Sequence, residues 1–129
     1  MIGSGAFNYI NVLDKAADAS WSRNTIITNN LANVDTPNYK RKDVQFESYL
    51  MEALAGGDSL DESINDLDLS TINSTTYVEH SNLSYRLDGN NVNVSTENAE
   101  LAKNQIKYYT LLDSMSQEFT RMRSVLSRS

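Results

Sequence analysis

The sequence holds one histidine, His80, with Glu79 beside it, and that pair is the first place to look for acid–base chemistry. An imidazole titrates near neutral pH, but catalysis also needs a second positioned group and a pocket. The segment around His80 reads as a strand or loop, so the histidine reads as a surface residue. The carboxylates Asp61-Glu62 and the pair Asp66 and Asp68 lie in a polar stretch, where the burial that tunes a catalytic pKa is not expected. They lack EF-hand spacing and its terminal glutamate. No glycine-rich phosphate loop, nucleophile elbow or HExxH is present. The absence of cysteine excludes a disulfide framework, thiolate catalysis and cysteine-based zinc sites together. No enzyme mechanism is supported, and no cofactor, metal or small-molecule substrate is expected. Three asparagine triplets of the glycosylation type, at Asn73, Asn82 and Asn93, are read as chance in an asparagine-rich chain.

A length of 129 residues fits one domain, 1–129, with 40% hydrophobic residues and a net charge of −6. The mean hydropathy of −0.48 leaves a thin core. Lys40-Arg41-Lys42 is the longest cationic run, too short to make an acidic chain a nucleic-acid binder. No cationic segment followed by an apolar one opens the sequence, so a cleaved secretory signal is not expected, and no apolar run is long enough to span a membrane.

The elements come in three zones. From Ala6 to Asn33 there is no proline or glycine, and Ala6, Ile10, Leu13, Ala17, Ser20, Asn24, Ile27, Leu31 and Val34 trace one helix face, with Phe7 and Trp21 beside it. The expected N-terminal helix is 6–34. At the other end a helix over 95–127 is expected, with Ser95 as N-cap and Glu97 in the first turn. There Leu101, Tyr108, Met115 and Met122 recur every seven residues, and a second row, Gln105, Leu112, Phe119 and Leu126, follows four residues behind. The fold class is therefore mainly α, with long N- and C-terminal helices paired as an antiparallel coiled coil around an irregular middle. Ile106, Tyr109 and Leu111 fall outside the two rows and would face outward. Together with Leu112, Phe119, Met122 and Leu126 they suggest apolar contacts between subunits.

The middle, 35–94, is expected to be extended. Phe46, Leu50, Ala53 and Leu54 fit a short helix ended by Gly56-Gly57. An acidic insertion at 56–76 reads as a flexible loop, within a stretch from Asp43 to Tyr85 that has no lysine or arginine. A possible β-hairpin follows, drawn from Tyr77–His80 and Ser84–Leu87, then a turn at Asp88, Gly89, Asn90 and Asn91, and Val92–Val94. Asp-Gly suits such a turn because both residues tolerate positive φ.

Between the first helix and the middle stands NNLANVDTPNYKRKDVQF. Asn33 can cap the helix in the left-handed conformation, Pro37 forces Thr36 out of it, and Asp35 and Thr36 can hold the turn by accepting N–H bonds. Asn29 and Asn30, poor helix formers in the last turn, are surplus to that task. Their amides are expected to find partners outside the local backbone, in a neighbouring subunit.

The run resembles the N-terminal signature of flagellar rod, hook and hook-associated proteins, through Asn30, Leu31, Ala32, Asn33, Asp35, Thr36, Pro37, Tyr39, Lys40, Asp43 and Phe46. Asn38 stands where that family has glycine. A second block, DGNNVNVSTENAELAKNQIKYYTLL, is similar to the proximal rod members of the family through Asp88, Gly89, Asn90, Asn91, Val92, Glu97, Asn104 and Tyr108. The resemblance implies a structural subunit of the bacterial basal-body rod that polymerises helically and links the membrane ring to the distal rod. Its implied partners are other copies of itself, other rod proteins, and membrane-ring and export-gate components at the rod base. The implied location is the periplasmic side of the cytoplasmic membrane, reached by type III export without a cleaved signal. The alternative from the helical pattern alone is a small adaptor or export chaperone that binds one partner through its coiled coil.

Overall fold

With no helix breaker between Ala6 and Asn33, the first zone forms one uninterrupted helix, α1, Gly3–Ala32. A computed structural model describes residues 3–55, 59–79 and 86–127. His80, Asn82 and the Ser84-Tyr85 part of the expected hairpin lie outside the described residues. The last zone forms α4, Val94–Leu126. Its cap is Asn93 rather than Ser95: the Asn93 side chain accepts the Thr96 N–H at 3.1 Å. Glu97 sits in the first turn, where its charge suits the positive end of the helix dipole.

The two helices pack antiparallel. Near the end of α1, Asn30 meets Glu97; further back, Ser20 meets Asn104 and Trp21 lies 5.6 Å from Tyr108, ring to ring. The expected α1 stripe faces this seam, with Ile10, Ala17, Ser20 and Ile27 buried and Leu13, Asn24 and Leu31 half-buried.

On α4 one expected row holds and the other moves. Leu101, Tyr108, Met115 and Met122 are half-buried, but Gln105, Leu112, Phe119 and Leu126 are exposed. The second seam row is Glu97, Asn104, Leu111 and Glu118, three residues behind the first instead of four. Leu111, expected to face outward, therefore faces the seam. The row is mostly polar, and it is chosen because its members have partners: Glu97 on α1 and on the chain beyond it, Asn104 on the Ser20 carbonyl at 2.7 Å.

The middle packs on one flank of this pair. It runs through β1 (Lys42–Gln45), α2 (Glu47–Leu54), α3 (Leu60–Asn65), a 3-10 turn (Leu69–Thr71) and β2 (Thr75–Val78). The short helix expected from Phe46 to Leu54 is α2. The acidic stretch expected as a loop carries α3, the 3-10 turn and the start of β2, and it buries Ile64 and Ile72. Ile72 packs with Ala19 and Phe46, while Lys15 on α1 donates to the carbonyls of Leu69 and Ile72 and to Asn73 Oδ1. An apolar residue at the right spacing and one lysine are enough to dock the segment despite its acidity.

The strand pairing differs from the expected hairpin. Tyr77 and Val78 are in a strand, but their antiparallel partner is β1, in the register Lys42↔Val78 to Gln45↔Thr75. Val92 and Asn93 lead directly into α4. The reason is Asn91, whose Oδ1 accepts the Arg41 N–H at 2.6 Å and whose Nδ2 donates to the Glu79 carbonyl at 3.0 Å. That amide sits between the two strand ends and fixes the turn block there. Among the described residues no helix is long and apolar enough to cross a membrane.

The reassigned seam is tested by urea denaturation of single variants. Ile27→Ala, at a fully buried position, should cost about 2–5 kcal/mol. Leu112→Ala, on the row that turned outward, should cost less than about 1 kcal/mol.

Candidate assembly site

Among the described residues the most deeply buried large side chains are Ile27, Glu97, Asn30, Asn90 and Asn104, and only the first is apolar. A buried polar group is costly unless every hydrogen-bonding position finds a partner. Asn30, Asn90 and Glu97 find theirs at the junction of α1, the turn block and the start of α4, and Asn104 donates further along the seam to the Ser20 carbonyl.

Asn30 is fully buried, and its amide is satisfied within the chain. Nδ2 donates to the Lys42 carbonyl at 2.7 Å and to Glu97 Oε2 at 3.2 Å. Oδ1 accepts from the Lys42 N–H at 2.9 Å and from the Tyr39 hydroxyl at 3.2 Å. Two donors and two acceptors are filled, so no capacity is left for a neighbouring subunit. This corrects the expectation for Asn30: its distant partners are β1 and α4 of the same chain. The amide pairs with both backbone groups of Lys42 as a strand would, which closes that part of the β1 edge.

Asn90 does the same for the helix end. Its Nδ2 lies within 3.0 Å of the carbonyls of Asn33, Val34 and Thr36, and its Oδ1 accepts the Val92 N–H at 2.8 Å. The last carbonyls of a helix have no partner inside it, and here a side chain from the turn block supplies one. Arg86 adds a second donor to the Val34 carbonyl and pairs with Asp88 at 2.9 Å. Asp88 in turn accepts the Asn90 N–H at 3.1 Å on its side chain and the Asn38 N–H at 2.7 Å on its carbonyl. The Lys40 ammonium reaches the Gly89 carbonyl.

The helix stop is thus built differently from its sequence-based account. The left-handed residue is Asn38, with φ of 60°, not Asn33. Asparagine takes this conformation more readily than most residues. Within the turn block, Gly89 has φ of 78°, and a Cβ there would stand 2.5 Å from Asn38 Oδ1. Two left-handed residues face each other, and only one has room for a side chain. Thr36 donates its hydroxyl to Asn33 Oδ1 at 3.1 Å, and Asn33 Nδ2 returns to Asn29 Oδ1 at 2.7 Å. Asp35 holds no cap; its side chain is 97% exposed, as Pro37 and Asn29 also lie at the surface. Leu31 is half-buried on the stripe, and the Tyr39 carbonyl accepts the Asn91 N–H at 3.3 Å.

A chain of charges ties the junction to the rest. Arg41 donates to Glu97, to Glu79 at 2.7 Å and to Asp43 at 3.2 Å. Arg23 on α1 donates to Asp43 at 2.9 Å and to Glu100 at 3.0 Å. Burial works against the Arg41 charge, but hydrogen bonds to Glu97 and Glu79 outweigh it and raise its pKa. For Asp43, burial favours the neutral acid; the Arg23 and Val44 hydrogen bonds and the two guanidinium charges prevail and lower its pKa. Arg23 also lowers that of Glu100, and burial raises that of the Tyr39 hydroxyl, with Glu97 adding to it. Carboxylates held this way are structural anchors, with each oxygen facing a donor.

Arg23, Arg41, Asp43, Glu79, Glu97 and Asn104 complete the junction without being marked for it by hydrophobic pattern. Glu97 and Asn104 do interrupt an otherwise half-apolar face at seven-residue spacing, and with Asp43 they are among the residues that carry the family resemblance. The expected interface residues of α4 lie apart from this junction. Ile106 (68%), Tyr109 (69%), Leu112, Phe119 and Leu126 are exposed on the helix pair, whereas Met122 is half-buried in the seam.

The stretch from α1 into the turn matches the family model described as flagella basal body rod protein, over residues 10–40. The chain is 36% identical over 116 residues to the flagellar basal body rod protein FlgB of Bacillus subtilis, covering 89% of this chain and 90% of that one. It is 33% identical to FlgB of Borreliella burgdorferi, covering 81% of this chain and 84% of the relative. It is 28% identical to FlgB of Escherichia coli, covering 81% and 82%.

Removing the Asn30 amide strands both backbone groups of Lys42 and one oxygen of Glu97. Asn30→Ala should therefore lower stability by about 2–4 kcal/mol, against less than about 0.5 kcal/mol for Asn29→Ala, both read by denaturant titration. The lowered pKa of Asp43 makes its contribution complete above the ordinary value of 3.8, and it is lost as pH falls through the folded-state value. Asp43→Asn should accordingly lower stability at neutral pH and flatten the acid limb of a stability–pH profile.

Proposed function

This chain belongs to the FlgB family of flagellar basal body rod proteins, and on that premise we propose how it builds the rod. The family is one of structural proteins, and the role of the chain is a structural one in the basal-body rod. In our reading the antiparallel helix pair is the polymerising element and the asparagine junction is the internal brace that holds it in one geometry. Copies join helically through the outer flank of the pair, as in a coiled coil of more than two strands. The resulting segment connects the membrane ring to the more distal rod. Its partners are further copies, other rod proteins, and ring and export-gate components at the base. It works on the periplasmic side of the cytoplasmic membrane, which it reaches by type III export without a cleaved signal.

The observation that carries this reading is the outer flank itself. Trp21 is 58% exposed and meets Tyr108 with the rings tilted at 44°, and Tyr108 stands edge-on to Tyr109, 5.9 Å between centroids. Ile106 extends the apolar surface along α4. The middle of the chain packs on the opposite flank, where Lys107 on α4 meets Glu47 on α2. Large aromatic side chains on an uncovered two-helix face are the residue types that dominate protein interfaces.

The double variant Ile106→Ser/Tyr109→Ser should change the stability of the isolated chain by less than about 1 kcal/mol, because both residues are already exposed. In a strain relying on this chain it should abolish incorporation into basal bodies and swimming. Normal motility would sink the proposed role of that flank.

A further inference from the structure

Two other surfaces of the chain combine apolar and charged residues, and their charges are opposite. On α2 and α3, Met51 is 72% exposed and Leu60 58%. Beside them, Glu52 follows Met51, Glu62 lies on the first turn of α3, and Asp66 closes that helix. These three carboxylates are exposed and have no ion-pair partner among the described residues. At the far end of α4, Phe119 is 49% exposed, and Arg123, four residues on, projects from the same face. Arg123 likewise has no ion-pair partner among the described residues. Arg121 holds only Glu118, one turn back on its own helix, with 74% of its side chain exposed. No carboxylate follows Glu118 in the sequence.

Resting on the rod reading above, we propose that the acidic α2–α3 surface of one copy seats the basic end of α4 of the next copy. Each surface sets exposed apolar side chains among charges of one sign, and the two signs are complementary. Arg123 lies well beyond the point where α4 meets α2. Where α4 touches α2, at Lys107 and Glu47, it is still about 24 Å from Arg123 along a helix that rises 1.5 Å per residue. Because the patches differ, the contact is heterologous and leaves a free patch of each kind at the two ends of any assembly. The acidic middle then has a use that its poor local structure-forming composition does not suggest: it keeps cations away from the seat of a cationic helix end.

A chain without native cysteine makes the test direct. Basal bodies are isolated under oxidising conditions from cells that make full-length Leu60→Cys and Phe119→Cys chains together, or either alone. The expected result is a disulfide-linked dimer from the mixture and none from either variant alone. Adding Arg121→Glu/Arg123→Glu to the Phe119→Cys chain should lower the yield about threefold or more, in keeping with the modest worth of rim pairs. Adding Glu52→Lys/Glu62→Lys to the Leu60→Cys chain should then restore it. Rods that contain both variants but give no mixed dimer, or a yield indifferent to charge reversal, overturn this contact and leave the rod role standing. Failure of the wild-type chain to enter basal bodies overturns the rod role, and this contact with it.

Discussion

A glutamate with 1% of its surface exposed has to be compensated, and the compensation of Glu97 organises the chain. Moving a carboxylate out of water costs several kcal/mol unless donors replace the lost hydration. Arg41 and Asn30 provide them, and each is tied to something else. Arg41 also holds Glu79 beyond β2 and Asp43 in β1; Asp43 is bound in turn by Arg23 on α1. Asn30 grips the backbone of Lys42. The sheet cannot shift along the helix pair, nor α4 along α1, without leaving a buried charge unpaired. Such a network adds less to net stability than an apolar core of the same size would, but it penalises every register except one.

This constraint operates at one end of the molecule only. Towards the last turns of α1 and the first of α4 the chain is closed upon itself, with buried polar groups matched within it. Towards the last turns of α4 the seam thins to half-buried methionines, and the flanks carry exposed aromatic residues. Opening free energies within one protein follow the density of such contacts, so the far end is the part that opens most readily. In the proposed rod, a subunit rigid where it is braced and adaptable where it is joined gains from that gradient. The brace and the proposed joining surfaces occupy different residues.

Much of this was legible in the sequence, and the failures share one cause. The long helices, the α1 stripe, the row Leu101, Tyr108, Met115 and Met122, and the short helix α2 follow from apolar periodicity. The second α4 row was misplaced because periodicity counts apolar residues, whereas the seam selected Glu97 and Asn104 for their partners. The strand pairing was missed because the signal for a turn at Asp88-Gly89 is local, and it is overridden by Asn91 reaching Arg41 and Glu79. The acidic stretch looked unstructured because its charge density hides the apolar residue and the Lys15 contacts that dock it. Asn30 was correctly marked as surplus to stopping a helix, but its partners lay 12 and 67 residues away along the chain. Local composition can show that a polar side chain needs a distant partner; it cannot show whether that partner belongs to the same chain.

Asparagine is also the residue type that the junction requires. The Asn30, Asn90 and Asn91 side chains each face at least one backbone donor and one backbone acceptor. A neutral amide meets both demands without bringing a charge to be desolvated. Aspartate at Asn30 could accept from Lys42 and Tyr39, but it would have nothing to give the Lys42 carbonyl and would place a second carboxylate against Glu97. Serine or threonine would be too short to span two backbone groups of a strand. Glutamine could carry the same groups, but it has one more rotatable bond to immobilise. Asn30 is therefore better understood as a bridge between backbone segments than as a helix breaker. Its weak helix propensity is a cost of about half a kcal/mol, small beside that of leaving the groups it satisfies buried and unpaired.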